Sequence, residues 1–308
     1  MARLALPLFL YAETPLHPGT GSHLGAVDLP VQRERHTGYP IVQGSSLKGV
    51  FRALAGEMGW NDAAIEAVFG PDTEHAEKHA GAVTFTDARI LLFPVRAIGT
   101  VFVWTTCHEV LGRLRRDLLN ASADGLPAVS DLPASGDGAL VAPDSKLIGG
   151  GKSGGPIVLE EFSYEARADA SVKDLARWLG RHVLSDDAAY AFWREKLLRD
   201  LAVLPSDEFR EFTRTATEVV TRVRLNEKAK TVKTGGLWTE EHVPSDSAFW
   251  ALVLVNKPGA DGTDWTAEWV AERLRSFDGQ RVQIGGDETT GRGFCLVRIG
   301  GAADGQAG

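Results

Sequence analysis

Asp28 stands alone among apolar neighbours in the run Val27-Asp28-Leu29-Pro30, shortly after His17 and shortly before Arg33 and Arg35. A lone carboxylate beside a nucleic-acid backbone can hold Mg²⁺ through one or two oxygens, leaving the other positions to water and phosphate. It can equally orient a ribose 2′-hydroxyl for attack on the adjacent phosphate, or simply fix a turn by bonding its own backbone. His17 opens the glycine-rich stretch His17-Pro18-Gly19-Thr20-Gly21. An imidazole there suits a proton shuttle, and suits packing beneath the loop as well.

Groups that attract phosphate lie on both sides of this pair. In Gly44-Ser45-Ser46-Leu47-Lys48 a helix begins, and its free N–H groups, the Lys48 charge in the first turn and Arg52 one turn on would favour an anion. An ordinary capped helix, with Ser45 or Ser46 as N-cap, is the plain reading of the same residues. Near the other end, Gly285-Gly286-Asp287-Glu288-Thr289-Thr290-Gly291-Arg292-Gly293 leads into an apolar run. It precedes a strand, not a helix, so it is no dinucleotide fingerprint. Its backbone N–H groups suit a phosphate cradle or a hairpin loop. Between Arg210 and Lys233 seven basic residues face three acidic ones, inside a chain of net charge −8. That stretch is a solvated β-ribbon or a local polyanion site. It closes on Trp238, which can stack on a base, and on Glu240-Glu241-His242, which can assist a proton transfer or a metal.

The elements that must position these groups are mixed. Strand-like composition marks 3–12, 82–86, 98–105, 157–164, 247–255 and 293–299, and helical spacing marks 46–58, 107–119, 171–184, 187–202 and 265–277. Strict βα alternation is lacking, so the expected class is α+β. Residues 120–156 are rich in Ala, Ser, Gly, Asp and Pro and read as a loop, and 300–308 as a disordered tail. Gly149-Gly150-Gly151-Lys152-Ser153 imitates a P-loop, but Lys146 stands where the first glycine is needed and Pro156 where a helix should run.

Composition bounds the rest. The 308 residues suffice for a sizeable core, and 44% hydrophobic with 24% charged residues is ordinary for a soluble protein. Two distant cysteines, Cys107 and Cys295, offer neither a disulfide framework nor a CxxC site, which fits a reducing cytoplasm. The apolar start is short and broken by Pro7, so a buried first strand is expected in place of a signal peptide, and no stretch is long enough to span a membrane.

Five motifs in order carry a resemblance: HPGTG (17–21), VDLPVQRE (27–34), PIVQGSSLKGVFR (40–52), FTDARILLFPVR (85–96) and GGDETTGRGF (285–294). From Leu6 to about Ile299 the chain resembles the backbone subunits of type III-B (Cmr) CRISPR effector complexes, in the RAMP superfamily. The resemblance implies one domain over 1–299. It would comprise an RRM-like, ferredoxin-like palm from 1–105 and 245–299, an inserted finger region with a helical insertion at 165–204, and a thumb near 213–243.

It also implies a guide-RNA-binding filament of several copies, assembled with other Cmr subunits and cutting complementary single-stranded target RNA at regular intervals. Guide contacts would fall on Arg33, Arg35, Ser45, Ser46, Lys48, Arg52, Gly285, Gly286, Thr289, Thr290, Gly291 and Arg292, and thumb contacts on Arg222, Arg224 and Trp238. Catalysis would fall on Asp28, with Mg²⁺ or another divalent cation bound along with RNA, helped by His17, Glu240 and His242. The products implied are a 5′-hydroxyl and a cyclic phosphate, and no organic cofactor is implied. The family often carries an aromatic after the acidic pair, where this chain has His242. Two other readings keep the RNA: a non-catalytic scaffold with the nuclease elsewhere in the complex, and an RNase processing precursor guides.

Overall fold

The computed structural model describes residues 4–22, 25–72, 79–121, 138–149, 153–226, 230–259 and 264–300. Its strands are β1 (Leu4–Ala12), β2 (Ile41–Val42), β3 (Val83–Phe85), β4 (Ala88–Ala97), β5 (Thr100–Cys107), β6 (Ala139–Val141), β7 (Gly154–Leu159), β8 (Phe162–Ala168), β9 (Leu201–Leu204), β10 (Glu218–Leu225), β11 (Val232–His242), β12 (Ala248–Val255), β13 (Arg281–Gln283) and β14 (Phe294–Ile299). Its α-helices are α1 (Gly44–Glu57), α2 (Asp62–Phe69), α3 (His108–Asn120), α4 (Ala170–Val183), α5 (Ala191–Arg199), α6 (Ser206–Thr215) and α7 (Ala267–Arg275).

The palm is built on β1. This strand pairs antiparallel with β12 on one side (Leu8↔Ala251) and with β14 on the other (Leu10↔Val297). β3 and β4 then pair with β12. With α1 following β1 and α7 following β12, strand order β14-β1-β12-β3/β4 is that of a ferredoxin-like split βαβ unit. From Leu6 on, every β1 residue is buried, because helices cover both faces of the sheet. Phe9 meets Trp178 of α4 edge-on at 6.0 Å. Under the α1 and α7 side, Phe51 stacks on Phe85 at 5.2 Å and Trp60 on Phe277 at 5.1 Å. α1 buries Leu47, Phe51, Leu54 and Ala55, the stripe that helical spacing predicts.

A second unit grows from the far half of β4. Residues Phe93 to Ala97 pair with β5, and the order β4-β5-β9-β6-β8-β7 returns to β4 at Ala97↔Leu159, closing a six-strand ring. α4 and α5 pack against this ring and the palm. Buried Lys196 of α5 is held by Asp200 at 2.6 Å and by the Phe102 carbonyl at 2.7 Å.

Three expectations are corrected here. The strand read at 157–164 is a hairpin, β7 and β8, which turns at Glu160 with φ 49°. The helix read over 187–202 ends at Arg199, and Leu201–Leu204 is the buried strand β9. Of the loop read over 120–156, residues 138–149 hold β6 and a short 3₁₀ turn (Lys146–Ile148), and β7 starts at Gly154. Residues 122–137, the centre of the P-loop imitation at 150–152, and the tail at 301–308 lie outside the described residues. Among the described residues no helix is long and apolar enough to cross a membrane.

Candidate functional site

The β10–β11 hairpin projects from the palm beside the glycine-rich segment, which is sewn to its base. Leu29 lies parallel to β11, giving its N–H to the Thr239 carbonyl at 3.0 Å and accepting from the Glu241 N–H at 3.0 Å. One residue earlier, the Asp28 carboxylate takes the role of the next carbonyl. Its Oδ2 accepts the Thr239 N–H at 2.8 Å and the Thr239 hydroxyl at 2.9 Å, and the Asp28 N–H reaches Thr239 Oγ1 at 3.0 Å. Asp28 is exposed, and these bonds hold its carboxyl below the ordinary aspartate range. Oδ1 accepts from no other residue among those described.

Glu241, on the same ribbon face as Thr239, is the buttress. Its carboxylate accepts from the Val31 N–H at 3.0 Å, from the Thr217 hydroxyl at 2.9 Å and from Arg33. Arg33 also bonds the carbonyls of Gly38 at 2.9 Å and Thr213 at 2.8 Å. The structure therefore turns Arg33 inward as a clasp for the segment, whereas Arg35 is exposed.

Strand alternation sends Glu240 and His242 to the opposite face of the ribbon. Both are buried. Glu240 accepts from Arg222 Nε at 2.7 Å and from the Trp238 indole at 2.7 Å. Burial pushes its carboxyl upward, yet these hydrogen bonds outweigh it and the group titrates below the ordinary range. His242 Nε2 lies 3.3 Å from Asp287, and burial, with a contribution from Arg292, lowers its pKa despite that carboxylate. Trp238 thus spends its indole N–H on Glu240 and is half-buried, while Arg224 is exposed.

His17 joins the two faces. Its Nδ1 donates to the Glu241 carbonyl at 2.6 Å, which fixes the tautomer of the neutral ring with Nε2 free of a proton. Its ring lies 5.4 Å from that of His242. Its carbonyl accepts from the Gly286 N–H at 3.0 Å, so the C-terminal loop is docked on the first one. Gly285 has no substitute there, since a Cβ would fall 2.2 Å from the His17 carbonyl oxygen at φ +81°.

Together these loops and the start of α1 enclose a cleft of about 340 Å³, lined by His17, Gly19, Gln32, Gln43, Ser46, Gly285 and Gly286 among others. The N-cap of α1 is Gln43 and not a serine. Gly44 is the first helical residue, and Asp87 takes its N–H at 2.8 Å; a Cβ on Gly44 would strike the Phe85 carbonyl. The exposed Ser45 and Ser46 keep the orphan N–H groups of the helix start. Lys48 is half-buried, and burial, then the neighbouring Arg52, lowers its pKa. Arg52 itself caps the Gly70 carbonyl. Thr289, Thr290 and Gly291 are exposed, and Arg292 is half-buried 3.9 Å from Glu218.

The four residues expected to act together are therefore divided between two faces, with Asp28 on one side and Glu240 and His242 on the other. Sequence reasoning missed Thr239 and grouped Glu241 with the assisting acids, where the structure makes it a buttress; no local signal could show either role, because Asp28 and Val31 lie more than 200 residues away. Asp287 sat inside a recognised motif, directly after Gly285-Gly286, and it adopts φ +65°, a conformation that Asp tolerates better than most residues.

A divalent cation has two places to be tested. Glu240, His242 and Asp287 bring one ligand atom each within 4.8 Å, but Arg222 already supplies a positive charge there. His242 Nδ1 moreover is buried without the second-shell acceptor that a ligating imidazole normally has. Asp28 fits better: one exposed carboxylate oxygen suits an ion that keeps most of its waters and shares phosphate.

The family model of the RAMP superfamily matches residues 9–296. The chain belongs to the RAMP superfamily. Among its RAMP relatives is the CRISPR system Cmr endoribonuclease Cmr4 of Pyrococcus furiosus, 37% identical over 297 residues, which span 94% of each chain. The crystal structure of oligomeric Cmr4 from the same organism superposes with a TM-score of 0.73 at 29% identity, covering 99% of this chain and 100% of that one. A chain in the cryo-EM structure of type III-B Cmr-beta bound to cognate target RNA gives a TM-score of 0.73 at 26% identity, over 96% of this chain and 97% of that one. The ferredoxin-like RAMP palm expected from the motifs is the fold observed.

Proposed function

We propose that this RAMP protein is a backbone subunit of a type III-B CRISPR effector complex and an endoribonuclease that cuts target RNA paired to a guide. The carrying observation is Asp28, exposed, ionised and held from the side by the hairpin base, in the same segment as His17, Gly19 and Gln32, which line a cleft at the free start of α1. Full-length similarity to a Cmr endoribonuclease supports the same reading. Copies of the chain stack along the guide in the cytoplasm with other Cmr subunits. The guide backbone runs over Ser45, Ser46, Lys48 and the 285–292 loop, and the hairpin enters the guide–target duplex.

Bond making is mostly a matter of placement. With a base pair splayed, the target 2′-hydroxyl attacks the adjacent phosphorus, the 2′-O–P bond forms and the P–O5′ bond breaks. The products are a cyclic phosphate and a 5′-hydroxyl. Asp28 orients the 2′-hydroxyl or its counter-ion, His17 Nε2 is the acceptor offered for the 2′-hydroxyl proton, and water supplies the proton that the leaving 5′-oxygen takes up. A divalent cation at Asp28 would offset the charge that develops on the phosphate oxygens.

The test is the complex assembled on a guide with labelled complementary RNA and Mg²⁺, comparing wild type with Asp28→Ala. Regularly spaced cuts that slow by about 100-fold or more in the variant, with target binding intact, are expected. An unchanged ladder in the variant makes the chain a scaffold whose Asp28 only caps β11.

A further inference from the structure

We propose that Thr239 is the positioning residue of Asp28, holding Oδ2 so that Oδ1 alone is presented to RNA or its counter-ion. The inference rests on the nuclease reading above and deepens it. Asp28 lies in an exposed stretch, and none of the described neighbours in its own loop anchors its side chain. Among the described residues, every hydrogen bond it makes to another residue is to Thr239. The hydroxyl accepts from the Asp28 N–H at 3.0 Å while donating to Oδ2 at 2.9 Å, and the Thr239 N–H reaches the same oxygen at 2.8 Å. Two donors converging on one oxygen fix the carboxylate plane, which a single bond would leave free to rotate. The other oxygen is left uncommitted.

Thr239 is also a hairpin residue, paired with Thr221 of β10. The carboxylate is therefore carried by the hairpin and not by its own loop. When the hairpin seats in the duplex, Asp28 moves with it, so substrate engagement and acid placement are one event. Glu241, two residues on, repeats the device by holding Val31 and Arg33, which keeps the backbone on either side of Leu29 tied to the same strand.

Thr239→Val removes the hydroxyl and both its bonds while keeping the β-branched shape and the strand N–H; Thr239→Ser keeps the hydroxyl. In the guide-loaded complex, Thr239→Val should lower kcat about tenfold with KM for target RNA within twofold, and Thr239→Ser should restore most of the rate. Equal loss in both variants, or a loss confined to KM, overturns the positioning role. A second readout needs no activity. In thermal unfolding of the isolated chain, Asp28→Ala and Thr239→Val should be non-additive, since each removes the bond between the Thr239 hydroxyl and the Asp28 carboxylate. Strict additivity overturns the clamp. If the wild-type complex makes no cuts while the two substitutions are still coupled, the nuclease reading fails and the clamp stands.

Discussion

At its base the β10–β11 hairpin buries charge, and toward its tip it exposes hydrocarbon. Glu240, Glu241 and His242 are all under 7% exposed, whereas Val223, Leu225, Val232 and Leu237, farther out on one face of the same ribbon, are 48–61% exposed. This reverses the usual distribution. The buried acids are tolerated because each is saturated: Glu241 by Arg33, Thr217 and Val31, Glu240 by Arg222 and Trp238. The apolar side chains higher up gain nothing for the isolated fold. The base is thus built to be rigid and the upper part to meet a partner surface. In the proposed complex that surface is the splayed guide–target duplex.

The contrast can be broken most forcefully at Glu241. Removing its side chain leaves Arg33 half-buried with no counter-charge and strips partners from Val31 and Thr217. Glu241→Ala is expected to cost about 3 kcal/mol in denaturant unfolding. A loss below 1 kcal/mol would mean that the base is no buttress.

Acid should act on the base next. His242 is held below the ordinary imidazole pKa by burial, and His182, packed against the Trp178 ring, is pushed down to about 4 by burial. On acidification below about 6.5 the unfolded chain takes up these protons before the folded one, so stability falls with falling pH. The depressed carboxyls of Glu240 and Asp28 add a second loss below about pH 4.5, where the unfolded chain protonates first. Thermal midpoints from pH 7 to 4 should decline, and His242→Gln should make the first part of the decline shallower. An unchanged slope would remove His242 from that titration.

The smallest effect belongs to the upper face. Leu237→Ser should alter stability by no more than about 0.5 kcal/mol, as for an exposed position, while weakening target engagement in the complex. A loss as large as that at Glu241 would show that the apolar face already has an occupant within the chain.

The fold was legible where periodicity is long. α1, α3, α4 and α7, and strands β1, β12 and β14, stand within a few residues of their expected places. It was illegible where signals are short. Leu201–Leu204 is four apolar residues, which suit a helix end as well as a buried strand. The β7–β8 turn runs through Glu160 at positive φ with no glycine or asparagine to announce it. Closure of the ring, at Ala97↔Leu159, leaves no mark in composition at all.

For the site, the motifs located the loops but could not orient their side chains. Arg33 and Arg52 look like phosphate ligands by type, yet each is turned onto a backbone carbonyl. Alternation along β11 could have separated Glu240 and His242 from the Asp28 side, had the register of Leu29 on that strand been visible. Register between distant segments is set by tertiary hydrogen bonds, which one sequence does not display.

The strand β4 has a consequence for anyone wishing to rebuild the protein. Arg89, Ile90 and Leu92 belong to the palm through β12, while Phe93 to Ala97 belong to the ring through β5. One unbroken strand is a shared girder, so a cut within β4 would damage both sheets at once. Grafting a foreign ring onto this palm would require keeping β4 entire and splicing beyond it, with the new ring's first strand matched to the register of Phe93↔Thr105.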